Sequence, residues 1–118
     1  MRVRRITPDF HAEDPGAGGD FYTGVLGLEK VMDLGWVVTW AAPGNPTAQL
    51  TLMREDAGAP VRPDASIEVD DVAGAYAAAQ RQGCEIVHPL TDEPWGVRRF
   101  FVRDPSGKVL NVLEHRAA

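Results

Sequence analysis

Apolar and polar positions alternate over residues 2–12, with Ile6, Pro8, Phe10 and Ala12 on one side of an extended chain and Thr7, Asp9 and His11 on the other. That period of two predicts a strand with one apolar and one polar face. The period changes after Glu13. Asp14 and Pro15 suit the cap and first position of a helix, and Phe21, Tyr22, Val25 and Leu26 recur at helical spacing before Gly27, a natural helix stop. Three strand-like runs follow, at 28–34, 36–42 and 47–53, punctuated by Gly35 and by Pro43-Gly44-Asn45-Pro46. The first half reads βαβββ.

Residues 55–63 are small and polar, hold Gly58, Pro60 and Pro63, and show no apolar period, which marks a linker. Beyond it the order repeats. A strand at 65–69 leads to an Ala-rich helix behind Asp70-Asp71, closed by Gly83, and strands at 85–88, 97–103 and 109–114 complete a second βαβββ set. The punctuation matches as well as the order: Asp14 corresponds to Asp71, Tyr22 to Tyr76, Gly27 to Gly83 and Pro43 to Pro105. Two modules, 1–54 and 64–115, are therefore expected in one α+β domain. Neither buries a sheet face alone, so they associate within one chain or across a dimer.

Composition narrows the function classes. With 12 Lys and Arg against 17 Asp and Glu, the net charge of −5 argues against nucleic acid or an anionic membrane surface as partner and favours a neutral or cationic small ligand. Cys84 is the sole cysteine, which excludes a disulfide framework or thiolate zinc site and suits a reducing, cytoplasmic setting. No apolar run approaches the length of a membrane-spanning helix, and the first ten residues lack a signal peptide's apolar core.

The stretch Phe21-Tyr22-Thr23-Gly24-Val25-Leu26-Gly27-Leu28 resembles the first-helix signature of the vicinal oxygen chelate superfamily, which includes glyoxalase I, extradiol dioxygenases, metal-dependent fosfomycin resistance proteins and bleomycin resistance proteins. Trp95-Gly96-Val97-Arg98-Arg99-Phe100, followed by Asp104-Pro105-Ser106-Gly107, is most similar to the bleomycin-resistance-like branch. The resemblance implies paired βαβββ modules whose curved mixed sheets surround a cavity, commonly in a homodimer. Enzymatic members hold a divalent metal with side chains from the first and last strands of each module. The matching positions here are Thr7, Gln49, Asp64 and Asn111. One carboxylate, two amides and a hydroxyl are poor ligands for zinc, iron, nickel or manganese, so no metal or other cofactor is expected. His11, on the polar face of strand one, is the fallback ligand; His88 and His115 read as rim or surface residues. Asp9, His11, Glu68 and Glu114 form an alternative set if they converge.

No Gly-x-Ser-x-Gly elbow is present, and Gly16-Ala17-Gly18-Gly19 lacks the Lys-Ser/Thr of a phosphate loop. Arg98, Arg99, Arg103 and Lys108 read as a solvated strand edge. What remains is a cavity wall: Trp36 and Trp40 on strand three, Gln49 and Met53 on strand four, Phe101 on strand seven, Trp95 in a loop, and Glu68 on strand five. Such a lining suits a planar, heteroaromatic, cationic ligand that is bound without being transformed. A metal-dependent glyoxalase-like lyase or isomerase, or a dioxygenase, is the alternative, and a regulatory domain with a closed cavity a third.

Overall fold

The computed structural model describes residues 1–116. Eight strands form a single mixed sheet: β1 (Val3–His11), β2 (Glu29–Asp33), β3 (Val37–Ala42), β4 (Asn45–Met53), β5 (Ala65–Val69), β6 (Ile86–Glu93), β7 (Val97–Arg103) and β8 (Val109–His115), in the spatial order β2-β3-β4-β1-β5-β8-β7-β6. Two helices, α1 (Gly19–Gly24) and α2 (Val72–Arg81), complete the two βαβββ sets. This is the α+β architecture of paired modules around a cavity.

The modules join within one chain. β1 and β5 pair antiparallel at the centre of the sheet, with Arg5 opposite Glu68, Ile6 opposite Ile67 and Thr7 opposite Ser66. On their outer sides β1 pairs parallel with β4, and β5 parallel with β8. The helices take the convex face. Between α2 and the sheet, Val72 of the helix packs with Val69, Phe100 and Val112 in one core cluster, joined by Tyr76, whose ring meets Phe100 edge-on at 5.0 Å. Beneath α1, Val38, Trp40 and Leu52 form the other, with Tyr22 stacked on Trp40 at 5.7 Å.

The two halves differ at their helix starts. Asp71 caps α2 by accepting from the Gly74 amide at 3.0 Å, whereas Asp14 makes no side-chain cap, and the chain enters α1 through a 3-10 turn at Pro15–Gly18. Consequently α1 spans 6 residues against 10 for α2, and Val25 and Leu26, expected on a buried helix face, stand more than half exposed. The first strand is inverted relative to its apolar pattern. Thr7 and Asp9 are buried, while Ile6 and Phe10 are 59% and 51% exposed, because the concave face encloses a cavity and the short α1 leaves the convex side of β1 uncovered.

Trp40 departs from the expected cavity wall. Strand β3 starts at Val37, so Val37 and Thr39 face the cavity while Val38 and Trp40 point into the helix-covered core; Trp36 lies before the strand and escapes its alternation. Replacing Trp40 with Ala should lower unfolding free energy by about 3–5 kcal/mol, the range for large aromatic truncations in cores, as read by denaturant titration. Replacing Trp36, half-buried at the rim, should have a much smaller effect.

Candidate functional site

A cavity of about 490 Å³ opens on the concave face, lined by residues of both modules. Its floor is the central seam, where the odd positions of β1 and the even positions of β5 point inward. Thr7, Asp9, Ser66 and Glu68 meet there, flanked by Gln49 and Thr51 of β4 and Asn111 of β8. Directed hydrogen bonds join several of these polar side chains, with Asn111 Oδ1 left without a partner. The Asn111 amide nitrogen donates to Ser66 Oγ at 3.0 Å, and Ser66 Oγ donates to Asp9 Oδ2 at 2.7 Å. Nearby, Thr7 Oγ1 donates to Gln49 Oε1 at 3.4 Å, and the Thr39 and Thr51 hydroxyls lie 2.8 Å apart.

Charges on the wall fall into two ion-paired groups and one carboxyl outside them. Glu68 takes the Arg5 guanidinium on one oxygen and His115 Nδ1 at 3.1 Å on the other. Arg99, its side chain 3% exposed, makes a two-point contact with Asp56 at 2.7 Å for each nitrogen and reaches Glu93 at 2.6 Å. Its guanidinium also lies over the rings of Trp95, at 4.9 Å, and Phe101, at 4.8 Å. Asp9 is the exception, for no cation pairs with it among the described residues. Burial, above all, pushes its pKa up to about 7; the Ser66 hydroxyl and Arg99 oppose the rise, while Asp56 and Asp64 add to it.

The upper wall is aromatic and apolar. Trp36, in the turn between β2 and β3, and Trp95, in the turn between β6 and β7, meet edge to face at 5.7 Å. The two turns occupy equivalent places in the repeat, Gly35-Trp36-Val37 and Trp95-Gly96-Val97, each with its glycine at positive φ, +84° and +87°. One hairpin from each module thus bends over the cavity. Val31, Met32, Leu34 and Met53 fill the wall beneath the tryptophans.

The structure therefore gathers Trp95, Trp36, Met53, Gln49, Asn111, Thr7 and Glu68 around one cavity and separates the rest. Phe101 shares the concave face of β7 but is fully buried beneath Arg99 and against the His88 ring, so it supports the wall without reaching the cavity. Asp64 precedes β5 and is spent on structure: its carboxylate accepts from the Val109 amide at 2.8 Å, and Ser66 takes the place opposite Thr7. His11 is exposed, with Glu13 at 3.6 Å, and lies off the cavity. Glu114 receives the Val72 amide at the start of α2, so the set Asp9, His11, Glu68 and Glu114 does not converge.

Two further readings change: Arg99 is buried, not solvated, and His88 is buried beside Phe101, not at a rim. His115 stays exposed, at the cavity edge beside Glu68. Residues 55–63 are more than a tether, since Asp56 is buried against Arg99 and a Cβ at Gly58 would stand 3.0 Å from Arg99, Glu93 and Trp95 side-chain atoms. Nothing in the local pattern signals Asp56, whose partner lies 43 residues away. Arg99 carried a signal in retrospect: alternation places it inward with Val97.

For a divalent metal the donors do not fit. Gln49, Thr7, Ser66 and Asn111 are neutral and already bonded to one another, and among the described residues no three His, Cys, Asp or Glu side chains are arranged to hold an ion.

The Asp9 environment has a measurable consequence. A carboxyl that titrates near 7 when folded and near 4 when unfolded contributes its stability below pH 4 and loses it as pH rises through 7. Relative to Asp9→Asn, the wild-type protein should therefore lose stability between pH 4 and 8, by on the order of 4 kcal/mol in total. Paired denaturation curves across that range measure the difference, and parallel pH profiles would contradict it.

Comparison with known proteins agrees with this architecture. The family model described as Glyoxalase/Bleomycin resistance protein/Dioxygenase superfamily matches residues 10–112. Among curated proteins no match is found. Among solved structures, the chain is similar to a glyoxalase/bleomycin resistance protein/dioxygenase superfamily member from Vibrio splendidus 12B01, at 17% identity over 96% of this chain and 99% of that one, with a TM-score of 0.68. It is also similar to methylmalonyl-CoA epimerase from Mycobacterium tuberculosis, at 16% identity over 98% of this chain and 88% of that one, TM-score 0.64. A third similarity is to the Mn(II)-bound glyoxalase from Novosphingobium aromaticivorans, at 21% identity and TM-score 0.65, covering 98% of this chain and 41% of that one. At these identities the likeness bears on the fold.

Proposed function

The chain belongs to the Glyoxalase/Bleomycin resistance protein/Dioxygenase superfamily, and from that membership and the cavity lining we propose that it sequesters an aromatic, cationic small molecule of the bleomycin type without transforming it. The observation that carries this reading is the Trp36–Trp95 pair, held over the cavity by one hairpin of each module. Two indole rings with Met32 and Met53 beneath them offer flat, polarisable contact to a planar ligand. The charge pattern supports a cation over an anion, since Arg5 and Arg99 are already paired with carboxylates whereas Asp9 is not. The donor set of the floor speaks against the alternative, a metal-dependent lyase, isomerase or dioxygenase. Stoichiometric transition metal in protein purified without chelator or metal-affinity steps would reverse that choice.

Binding should be visible in tryptophan fluorescence. In a titration with bleomycin and with smaller planar cations, Trp95→Ala should weaken affinity by roughly 2- to 12-fold, the equivalent of an aromatic contact of about 0.5–1.5 kcal/mol. Equal affinity of the two proteins would assign Trp95 to structure alone, and no binding across the panel would remove the proposal.

The proposed working form is a homodimer in the cytoplasm, a compartment the unpaired Cys84 suits. Support for the dimer comes from β1, the one central strand whose convex side bears large exposed apolar residues, Ile6 and Phe10, with Phe21, Val25 and Leu26 of the same module also exposed. A second copy presents the same strip, as a two-fold contact requires. Sedimentation at micromolar concentration should give a dimer that Phe10→Glu shifts toward monomer; a wild-type monomer would overturn this assembly.

A further inference from the structure

Building on that reading of the cavity as an aromatic site, we propose that Asp9 selects the charged end of the ligand, taking an N–H-bearing cation of the amine or amidine class in preference to a neutral or quaternary one. Asp9 is 6% exposed and lies in the cavity floor, yet the Ser66 hydroxyl is the single hydrogen bond its carboxyl receives among the described residues. Only Oδ2 is engaged, which leaves Oδ1 as an acceptor without a donor. The hydrogen-bond chain runs toward the carboxyl: Asn111 donates its amide hydrogen to Ser66 Oγ, so the Ser66 hydroxyl proton is turned to Asp9 Oδ2, and a cation arriving at Oδ1 favours the ionised form.

Charged neighbours do not relieve it. From the linker, Asp56 faces Asp9 but is bound in two places by Arg99; Arg99 of β7 is shared between Asp56 and Glu93; Asp64, ahead of β5, adds negative potential. Glu68 of β5 is matched by Arg5 and His115. From β4 the register partner is Thr51, whose hydroxyl is met by Thr39. Asp9 is thus the cavity carboxyl, among the described residues, that has no cation beside it and has one oxygen without a proton donor. A primary ammonium or an amidinium supplies both in one group, since a charge-assisted N–H to a carboxylate is stronger than a neutral hydrogen bond. A quaternary ammonium supplies the charge alone, and a ligand carboxylate or phosphate finds the two cavity guanidiniums, Arg5 and Arg99, already paired with carboxylates. Asp9 and the tryptophans lie on the same cavity, so a ligand with a planar ring and a cationic nitrogen at one end can use both.

The probes are benzamidine, its neutral counterpart benzamide and phenyltrimethylammonium, titrated by calorimetry into the full chain and into Asp9→Asn. In the wild type, benzamidine should bind at least tenfold more tightly than either of the other two, the effect of a single charge-assisted contact. In Asp9→Asn that preference should collapse to about one while benzamide affinity is retained. Ser66→Ala, which removes the positioning hydroxyl and leaves the carboxyl, should narrow the preference severalfold without abolishing it, and serves if Asp9→Asn does not fold. A merely structural role for Asp9 would move all three affinities together. An unchanged preference in Asp9→Asn, or equal binding of benzamidine and phenyltrimethylammonium to wild type, would overturn the proposal and leave the aromatic site standing. Failure of all three probes to bind would instead remove the aromatic site and this proposal with it.

Discussion

The antiparallel pairing of β1 with β5 is the constraint from which the site follows. Each strand is the first of its module, and placing them side by side turns two four-stranded units into one sheet with a shared concave face. Side chains of alternate residues must then point into that concavity, and in this chain they are Thr7, Asp9, Ser66 and Glu68. Hydroxyls and carboxyls packed this closely lose water and have to satisfy each other. The directed bonds from Asn111 through Ser66 to Asp9 are that settlement, and the raised pKa of Asp9 is what it leaves unresolved.

Arg99 performs a different task. It draws Asp56 of the inter-module segment and Glu93 of β6 onto β7, then offers its flat face to Trp95 and Phe101. Burying three charges is unfavourable unless every donor is met, and the planar guanidinium can meet two carboxylates and two rings at once. The close packing of Gly58 against the same cluster shows how little room the arrangement leaves. Position and support of Trp95, and hence the aromatic side of the cavity, rest on a residue that makes no net charge available to a ligand.

Much of the architecture was legible because it is written in local signals. Gly27 and Gly83 end their helices at φ of +69° and +70°, Asp71 caps α2, and alternation over 97–103 delimits β7. The site was only partly legible. Gln49, Asn111 and Thr7 were reached through the family resemblance, whose ligand positions they match, whereas Trp40 was misplaced because phase was counted from Trp36, a residue outside the strand. Asp64 satisfied the right parity one step too early, where the strand has not begun and the carboxylate closes onto the Val109 amide. Asp56 lies beyond local reasoning altogether, since its partner Arg99 is 43 residues away, whereas the inward phase of Arg99 was legible and its burial was not. Asp9 sat in plain view on a polar face, but polarity along a strand reads as exposure to solvent until a cavity is known to lie there.

The two hairpins that carry the tryptophans are also the rims of the sheet, and their outer strands, β2 and β6, do not pair with one another. An open rim is a template on which another chain can add a strand. Both rims are spoiled for that purpose: β2 breaks register between Lys30 and Met32 and bears the Lys30–Asp33 ion pair, while β6 breaks register twice and places Pro89, which has no amide hydrogen, within the second break. Growth by strand addition is disfavoured at either end. A contact through a face of the sheet meets no such obstacle.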